Sequence, residues 1–328
     1  MKMKNVWRYL KLQKNSKSRR KLKRVRRYIE KSQLQKNIIT HLENGELNQE
    51  ESAILEWLKH NTIHVFPYNF TKKYLTSNIE IFFDHVLNRK YVVLYNKKMY
   101  LPKNMKDTAI KKYISSIMLE QDHMSPHRYL IEKERLIDKI VADIGAAEGN
   151  FALSIIDYAK KIYIFECDPE WIEALQLTFK SYISNKEEES KVVIVRKFIG
   201  DTVNNTHTTL DEYFRNKQID YIKADIEGSE VPMLKCGKAT LMNKVSNVIL
   251  CSYHRESDEK DIKDLLEEYG YKYYTSNGYM IFPLDKSIDK PYLRRALIYG
   301  NRVTGNLKRP SGTRLIRKTS ICPISLKK

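Results

Sequence analysis

Ile140-Val141-Ala142-Asp143-Ile144-Gly145-Ala146-Ala147-Glu148-Gly149-Asn150 is the stretch that decides the fold. Ile140–Ile144 is a short apolar run of strand type, the glycine-bearing segment is a tight turn, and Asn150–Lys160 has the pattern of a helix. The same unit repeats downstream. Lys161–Phe165 ends in Glu166-Cys167-Asp168-Pro169 and is followed by a helical Glu170–Lys180, with Asp168-Pro169 reading as its cap and first turn. Val192–Val195 runs through Gly200-Asp201 to a helix over Thr209–Arg215. Asp220–Ala224 leads into Asp225-Ile226-Glu227-Gly228, and Asn247–Cys251 precedes a helix over Glu259–Tyr269. Lys272–Thr275 and Tyr279–Phe282 flank Ser276-Asn277-Gly278, which predicts a closing antiparallel hairpin. Strands alternating with helices on short connections predict an α/β, doubly wound, mostly parallel sheet, with ligands bound at the carboxyl ends of its strands.

Upstream the texture differs. Met1–Leu42 reads as a basic helix with a ragged apolar stripe at Leu22, Val25, Tyr28 and Ile29, and with Trp7, Tyr9 and Leu10 clustered before it. A second helix over Gln49–Lys59 puts Ala53, Ile54, Trp57 and Leu58 on one face. Tyr91–Tyr95 and Met99–Leu101 on either side of Asn96-Lys97-Lys98 predict a hairpin. The expected organisation is a basic helical extension (1–60), an α+β segment (61–118), the α/β domain (119–285) and a basic tail (286–328).

The 328 residues carry a formal net charge of +19, and 42% are hydrophobic, which excludes wholesale disorder. The charge is uneven: residues 1–37 carry +14 and residues 285–328 carry +10, leaving −5 for residues 38–284. Phosphate contacts must flank the chemistry of a nucleic-acid enzyme, so a mildly acidic body weakens that reading. No run of about 18 apolar residues spans a membrane, and no apolar core of a signal peptide follows the first residues. Cys167, Cys236, Cys251 and Cys322 are too widely spaced for a zinc knuckle or a disulfide scaffold, which fits a reducing cytoplasm.

A strand–glycine loop–helix is generic for nucleotides, but this loop carries Asp143 and Glu148 and has Asn150 where a dinucleotide loop wants a small residue. Carboxylates here would repel a pyrophosphate and suit a cationic ligand such as S-adenosylmethionine, with its sulfonium and ammonium groups. The competing reading is an ordinary tight turn. Glu166, at the next strand end, can accept hydrogen bonds from a ribose diol, and Asp201, after the third, from an adenine amino group. Each acid alone is equally a solvated loop charge; three at successive strand ends are harder to dismiss.

The blocks Val141–Phe151, Phe165-Glu166, Thr209-Leu210-Asp211 and above all Ile222-Lys223-Ala224-Asp225-Ile226-Glu227-Gly228-Ser229-Glu230 resemble the FkbM-type S-adenosylmethionine-dependent methyltransferases, over about residues 120–285. The resemblance implies a class I, Rossmann-like methyltransferase fold and, commonly, O-methylation of a hydroxyl on a sugar, glycolipid or natural product. It makes Asp143, Gly145, Ala147, Glu148, Gly149, Asn150, Glu166, Cys167 and Asp201 the expected cofactor residues. Ala147 departs from the middle glycine of many methyltransferases, and a methyl group is expected to fit there.

Methyl transfer is an in-line displacement, and a sugar hydroxyl needs a base to take its proton. Asp225 and His254 are the candidates, with Glu227 beside them, and His254 is equally readable as a structural histidine. A Mg²⁺ held by Asp225, Glu227 and His254 is the alternative. His127 and Arg255 are expected acceptor contacts, though Ser125-Pro126-His127 also reads as a helix cap. The basic ends are solvated composition, an address for an anionic membrane face or a dock for nucleic acid, the last disfavoured by the acidic body. A cytoplasmic enzyme at the inner membrane face, acting on a saccharide or glycoconjugate, joins the second reading to the resemblance. The competing classes are an RNA methyltransferase docking through its basic ends and a non-catalytic membrane-associated module.

Overall fold

The computed structural model describes residues 16–74, 78–129, 132–285 and 288–302, with side chains from residue 22 onward. In chain order the elements are α1 (Ser16–Glu43), α2 (Gln49–His60), β1 (Phe82–Asp84), β2 (Arg89–Leu94), β3 (Lys97–Tyr100), α3 (Asp107–Glu120), β4 (Ile140–Ile144), α4 (Asn150–Ile155), β5 (Lys161–Phe165) and α5 (Pro169–Thr178). Then come β6 (Val192–Val195), β7 (Phe198–Ile199), β8 (His207–Thr208), α6 (Leu210–Tyr213), β9 (Tyr221–Ala224), α7 (Glu230–Lys235), α8 (Lys238–Asn243), β10 (Asn247–Cys251), α9 (Asp258–Glu268), β11 (Lys272–Thr275) and β12 (Leu297–Asn301).

Seven of these strands form one sheet in the order β11-β12-β10-β9-β4-β5-β6. The β10–β9, β9–β4, β4–β5 and β5–β6 pairs are parallel, and β12 runs antiparallel to both of its neighbours. Strand order reverses between β4 and β9, so the carboxyl ends of those two strands flank the crevice where such sheets bind ligands. The pleat sorts side chains by period two. Val141, Ile162 and Ile164 join the core on one face, whereas Ala142, Ile144, Tyr163 and Phe165 join the core on the other.

The closing antiparallel element differs from the hairpin expected. β11 pairs with Leu297–Asn301, while 279–282 contributes an isolated bridge, Met280 to Arg294. A strand assigned to the basic tail is therefore the penultimate strand of the sheet, with Leu297 and Ile298 fully buried. The two-residue turn Tyr95-Asn96 closes the β2–β3 hairpin, one step earlier than expected, with both residues at positive φ (52° and 60°). The helices after β4 and β6 are shorter than the periodicity suggested: α4 stops at Ile155 and α6 at Tyr213.

The amino-terminal helices pack on the far end of the chain. Ile38 and Leu42 of α1 and Ile54 and Leu58 of α2 share a core cluster with Ile281, Tyr292 and Leu293. Asn48 caps α2 with a capping box to Glu51, which fixes where that helix begins. The stripe expected to bury the start of α1 does not do so: Val25, Tyr28 and Ile29 are 48%, 70% and 60% exposed. Ala53 is exposed too, so the buried face of α2 is narrower than its sequence pattern. Trp7, Tyr9, Leu10 and Cys322 lie outside the described residues.

Candidate active site

Asp143 stands opposite Lys223 in the β4–β9 register. Lys223 Nζ lies 3.0 Å from Asp143 Oδ1 and donates to the Gly145 carbonyl at 2.9 Å. Both side chains are essentially closed to solvent, Asp143 at 0% and Lys223 at 3%. Burial works to neutralise the ammonium, but Asp143 and Asp225 overcome it and hold the lysine protonated well above its ordinary value. The pair ties the glycine loop to the fourth strand. A Cβ on Gly145, which has φ +69°, would come within 1.9 Å of the Asp225 carbonyl oxygen. Only glycine fits between these two strand ends.

The loop leads to a 210 Å³ cavity lined by Gly145, Ala147, Glu166, Cys167, Asp225 and Glu227, with Phe165, Phe198 and Ile199 as apolar wall. Glu166 is its organiser. Its Oε1 accepts from the Cys167 and Asp168 amides (2.7 and 2.8 Å), and Oε2 accepts from the Ala147 amide at 2.8 Å. That last bond holds Ala147 at φ +46°, a left-handed conformation that costs an alanine about 1–2 kcal/mol. A carboxylate has about four acceptor sites, so roughly one remains for a ligand.

At the inner end, Asp225 Oδ2 accepts from the Tyr129 hydroxyl (2.8 Å) and Oδ1 from the Tyr253 hydroxyl (3.4 Å). His254 Nε2 stands 3.4 Å from Asp225 Oδ1, and its Nδ1 stands 3.3 Å from Glu230 Oε1. Burial would raise the Asp225 carboxyl, but Lys223, His127 and His254 together outweigh it and keep Asp225 below the usual carboxylate range. His254 moves the other way: burial lowers it, and Glu230 and Asp225 more than reverse that. Ligand atoms of Asp225, Glu230 and His254 lie within 4.8 Å of one another, as do those of His127, Asp225 and Cys251. Glu230 stands closer to the His254 ring than Glu227 does, whose side chain is 92% exposed and 3.7 Å from His254.

A second, larger cavity of 530 Å³ adjoins this end. Trp57, His64, Lys72, Lys112, Glu120, His127, Tyr253 and Phe282 are among its walls. His127 Nε2 is 3.2 Å from the Tyr253 hydroxyl, the group that also donates to Asp225, so the two cavities meet through Asp225 and its tyrosine. Burial holds the His127 imidazole down at about 4, hence neutral. Burial, reinforced by Asp225 and Glu148, raises Glu120 to about 8.

Residues 176–273 match the Methyltransferase FkbM domain. The match takes in the Lys223–Glu230 block on which the sequence resemblance rested. Among solved structures, the chain is similar to the FkbM methyltransferase of Methylobacillus flagellatus KT, with 17% identity and a TM-score of 0.38 over 60% of this chain and 55% of that one. It thus spans little more than half of that protein's length. A precorrin-6y C5,15-methyltransferase from Geobacter metallireducens GS-15 gives 14% identity and a TM-score of 0.35, covering 52% of this chain and 85% of that one. M. capricolum TrmK bound to S-adenosyl-homocysteine gives 17% and 0.35, covering 52% and 65%. No curated protein matches the chain. The fold is the mixed α/β, class I, Rossmann-like methyltransferase fold, read from the strand order and the reversed β12.

The structure divides the residues expected from the sequence. Gly145, Ala147, Glu166 and Cys167 line the smaller cavity with Asp225 and Glu227. Asp143 is sealed against Lys223, so it orders the loop rather than facing a cationic ligand. Glu148 is buried and accepts from Tyr113, whose ring stacks on Trp171. Asn150 is buried and accepts from the Tyr95 hydroxyl at 3.0 Å, and Gly149 packs against Leu175 and Phe179. Asp201 is exposed beyond β7, outside the cavity wall. Of the acceptor contacts, His127 lines the larger cavity; Arg255 lines neither, and its amide donates to Asp258. Sequence reasoning passed over Tyr129, Tyr253, Lys223 and Glu120. Lys223 stands inside a block it quoted, and Tyr253 is the neighbour of His254.

S-adenosylmethionine fits the smaller cavity in part. A carboxylate with a spare acceptor site beside an apolar wall suits an adenosyl ribose and ring, and Asp225 with Glu227 suits a cationic end. The 210 Å³ volume is below the range of about 300–1,000 Å³ usual for small-molecule sites, so it matches the nucleoside end rather than the whole molecule.

Proposed function

We propose that this protein is an S-adenosylmethionine-dependent O-methyltransferase that modifies a hydroxyl of a saccharide or glycoconjugate. The observation that carries this reading is the junction at Asp225, where a cavity walled by Gly145 and Glu166 meets, through Tyr253, a 530 Å³ cavity roomy enough for a sugar acceptor. Bound there, the cofactor supplies an electrophilic methyl carbon on a sulfonium.

The chain's own residues do the rest. Glu166 fixes the ribose, and the Lys223–Asp143 pair keeps the glycine loop in register with Asp225. Asp225, ionised and held by two tyrosine hydroxyls, places negative charge beside the cationic end of the cofactor and orients the acceptor hydroxyl. Its depressed proton affinity makes it a weak base, whereas His254, raised by Glu230 and Asp225, is the stronger proton acceptor. Trp57 and Phe282 offer aromatic faces to a sugar ring, with Asn61 and Ser116 as polar partners.

The test has two arms. Titration calorimetry with S-adenosylhomocysteine reads the cofactor site: Glu166→Ala weakens binding about 10–100-fold, the size of one to two lost charge-assisted hydrogen bonds. Radiolabelled methyl transfer to fractionated glycans, glycolipids and RNA, with and without EDTA, reads the acceptor. Label confined to RNA would sink the saccharide reading, and undiminished binding by Glu166→Ala would sink the cofactor assignment.

A further inference from the structure

The amino-terminal half of α1 presents two consecutive turns, residues 23–30, in which every residue is exposed. The helix is 28 residues long, about 42 Å at 1.5 Å per residue. Only its later part reaches the body, through Ile38 and Leu42 against Ile54 and Leu58 of α2. At about 100° per residue, Leu22, Val25, Tyr28 and Ile29 fall within an arc of roughly 120°. Leu34, Ile38, Ile39 and Leu42, which meet the body, fall on an arc centred about 110° away on the same scale. The exposed stripe therefore adjoins the face that meets the body, with Tyr28 at the shared edge and Val25 and Ile29 turned away from it.

Exposed Arg24 and Arg26 flank this stripe, and exposed Lys23 and Arg27 lie behind it. Glu30, the sole acid in residues 1–37, is paired with Arg26 at 2.7 Å. That segment carries +14 against −5 for residues 38–284. A basic helix with a solvent-facing apolar stripe complements an anionic lipid surface, with the stripe sinking into the headgroup boundary and the cations gaining about 1 kcal/mol each near the surface.

We infer that α1 is a docking helix that lays Val25, Tyr28 and Ile29 into an anionic lipid surface and carries the rest of the chain on an adjacent face. Nothing has to move for this, because the body and the lipid use different sides of one helix. A phosphate polymer needs the same cations but has no use for the apolar stripe, which is why a membrane rather than nucleic acid is the partner.

Cosedimentation of the full chain with vesicles tests this directly. Vesicles of phosphatidylcholine mixed with phosphatidylglycerol are expected to bind it at least about tenfold better than phosphatidylcholine alone. The variant Val25→Asn/Tyr28→Asn/Ile29→Asn is expected to lose at least about tenfold of that binding, while its affinity for S-adenosylhomocysteine and its helical signal stay unchanged. Arg24→Gln/Arg26→Gln/Arg27→Gln is expected to weaken binding more at low salt than at high. Equal binding by the Asn variant, no preference for anionic vesicles, or release of the protein from vesicles by RNA that the Asn variant binds equally well would each overturn the inference. None of these outcomes depends on the methyl-transfer reading, which the S-adenosylhomocysteine titration reports separately.

Discussion

The two cavities that meet through Asp225 are built in contrasting ways. The smaller one draws its walls from the carboxyl ends of β4, β5 and β9 and the β7 segment, all between Ile144 and Glu227. The larger one is assembled from α2, the segment after it, α3, His127, Tyr253 and the 280–282 stretch, pieces more than 200 residues apart. A site at strand ends is positioned by sheet hydrogen bonding and is rigid. A site gathered from helices and loops is held only by side-chain packing, and it can change its walls without disturbing the sheet. On the proposed reading, one chain thereby keeps a fixed donor cavity and a replaceable acceptor cavity.

Cutting the tie beneath the donor cavity is the sharpest way to break that contrast. In Lys223→Met the buried Asp143 and the neighbouring Asp225 lose their common cation. Removing one partner of a buried ion pair costs about 3–5 kcal/mol, because the remaining charge stays desolvated. Urea denaturation is expected to show a loss of this size, together with loss of S-adenosylhomocysteine binding. A variant with parental stability would mean that the sheet, and not this pair, positions the loop.

The sheet that carries the smaller cavity was largely legible in the sequence because its strands are local. Ile140–Ile144, Lys161–Phe165 and Asn247–Cys251 are apolar runs ended by charged, polar or glycine residues, and each occurs as a strand where its pattern placed it. What the sequence hides is pairing across distance. Asp143 reads as a loop acid that could face a cation, until the register sets Lys223 beside it. Leu297–Asn301 was lost inside a stretch rich in arginine and lysine, although it completes the sheet between β10 and β11. Of the larger cavity the sequence pointed only to His127, since Trp57, Glu120 and Phe282 share a wall only after the chain has folded.

Glu120 gives a second, smaller way to probe the contrast, this time from the acceptor side. Its ordinary value is 4.5, and burial, then Asp225 and Glu148, raise it to about 8, against weaker opposition from Ser116 and Lys223. The native state therefore holds a proton that the unfolded chain releases, so stability falls as pH rises from about 4.5 through 8. Glu120→Gln cannot ionise and avoids that loss. Its thermal melts are expected to match the parent near pH 5 and to exceed it by a few kcal/mol, at most about 4, above pH 8. A constant offset at all pH values would show that Glu120 is ionised in the folded protein, as an ordinary surface acid is.

Asp201 should matter least, and its small effect is informative. Sequence position made it an adenine contact after the third strand, yet it is exposed, is hydrogen-bonded by the neighbouring Thr202 hydroxyl at 3.0 Å, and lies outside the cavity wall that Phe198 and Ile199 complete. An exposed side chain away from the ligand contributes within about 0.5 kcal/mol, so Asp201→Ala is expected to change S-adenosylhomocysteine affinity by no more than about twofold. The wall next to it is apolar, which suits the face of an adenine better than its amino edge. A tenfold loss would mean that the segment carrying Asp201 folds over the ligand and adds a polar contact to an apolar one. The donor cavity would then owe part of its shape to a loop, and the division between a rigid donor site and a replaceable acceptor site would no longer follow the sheet.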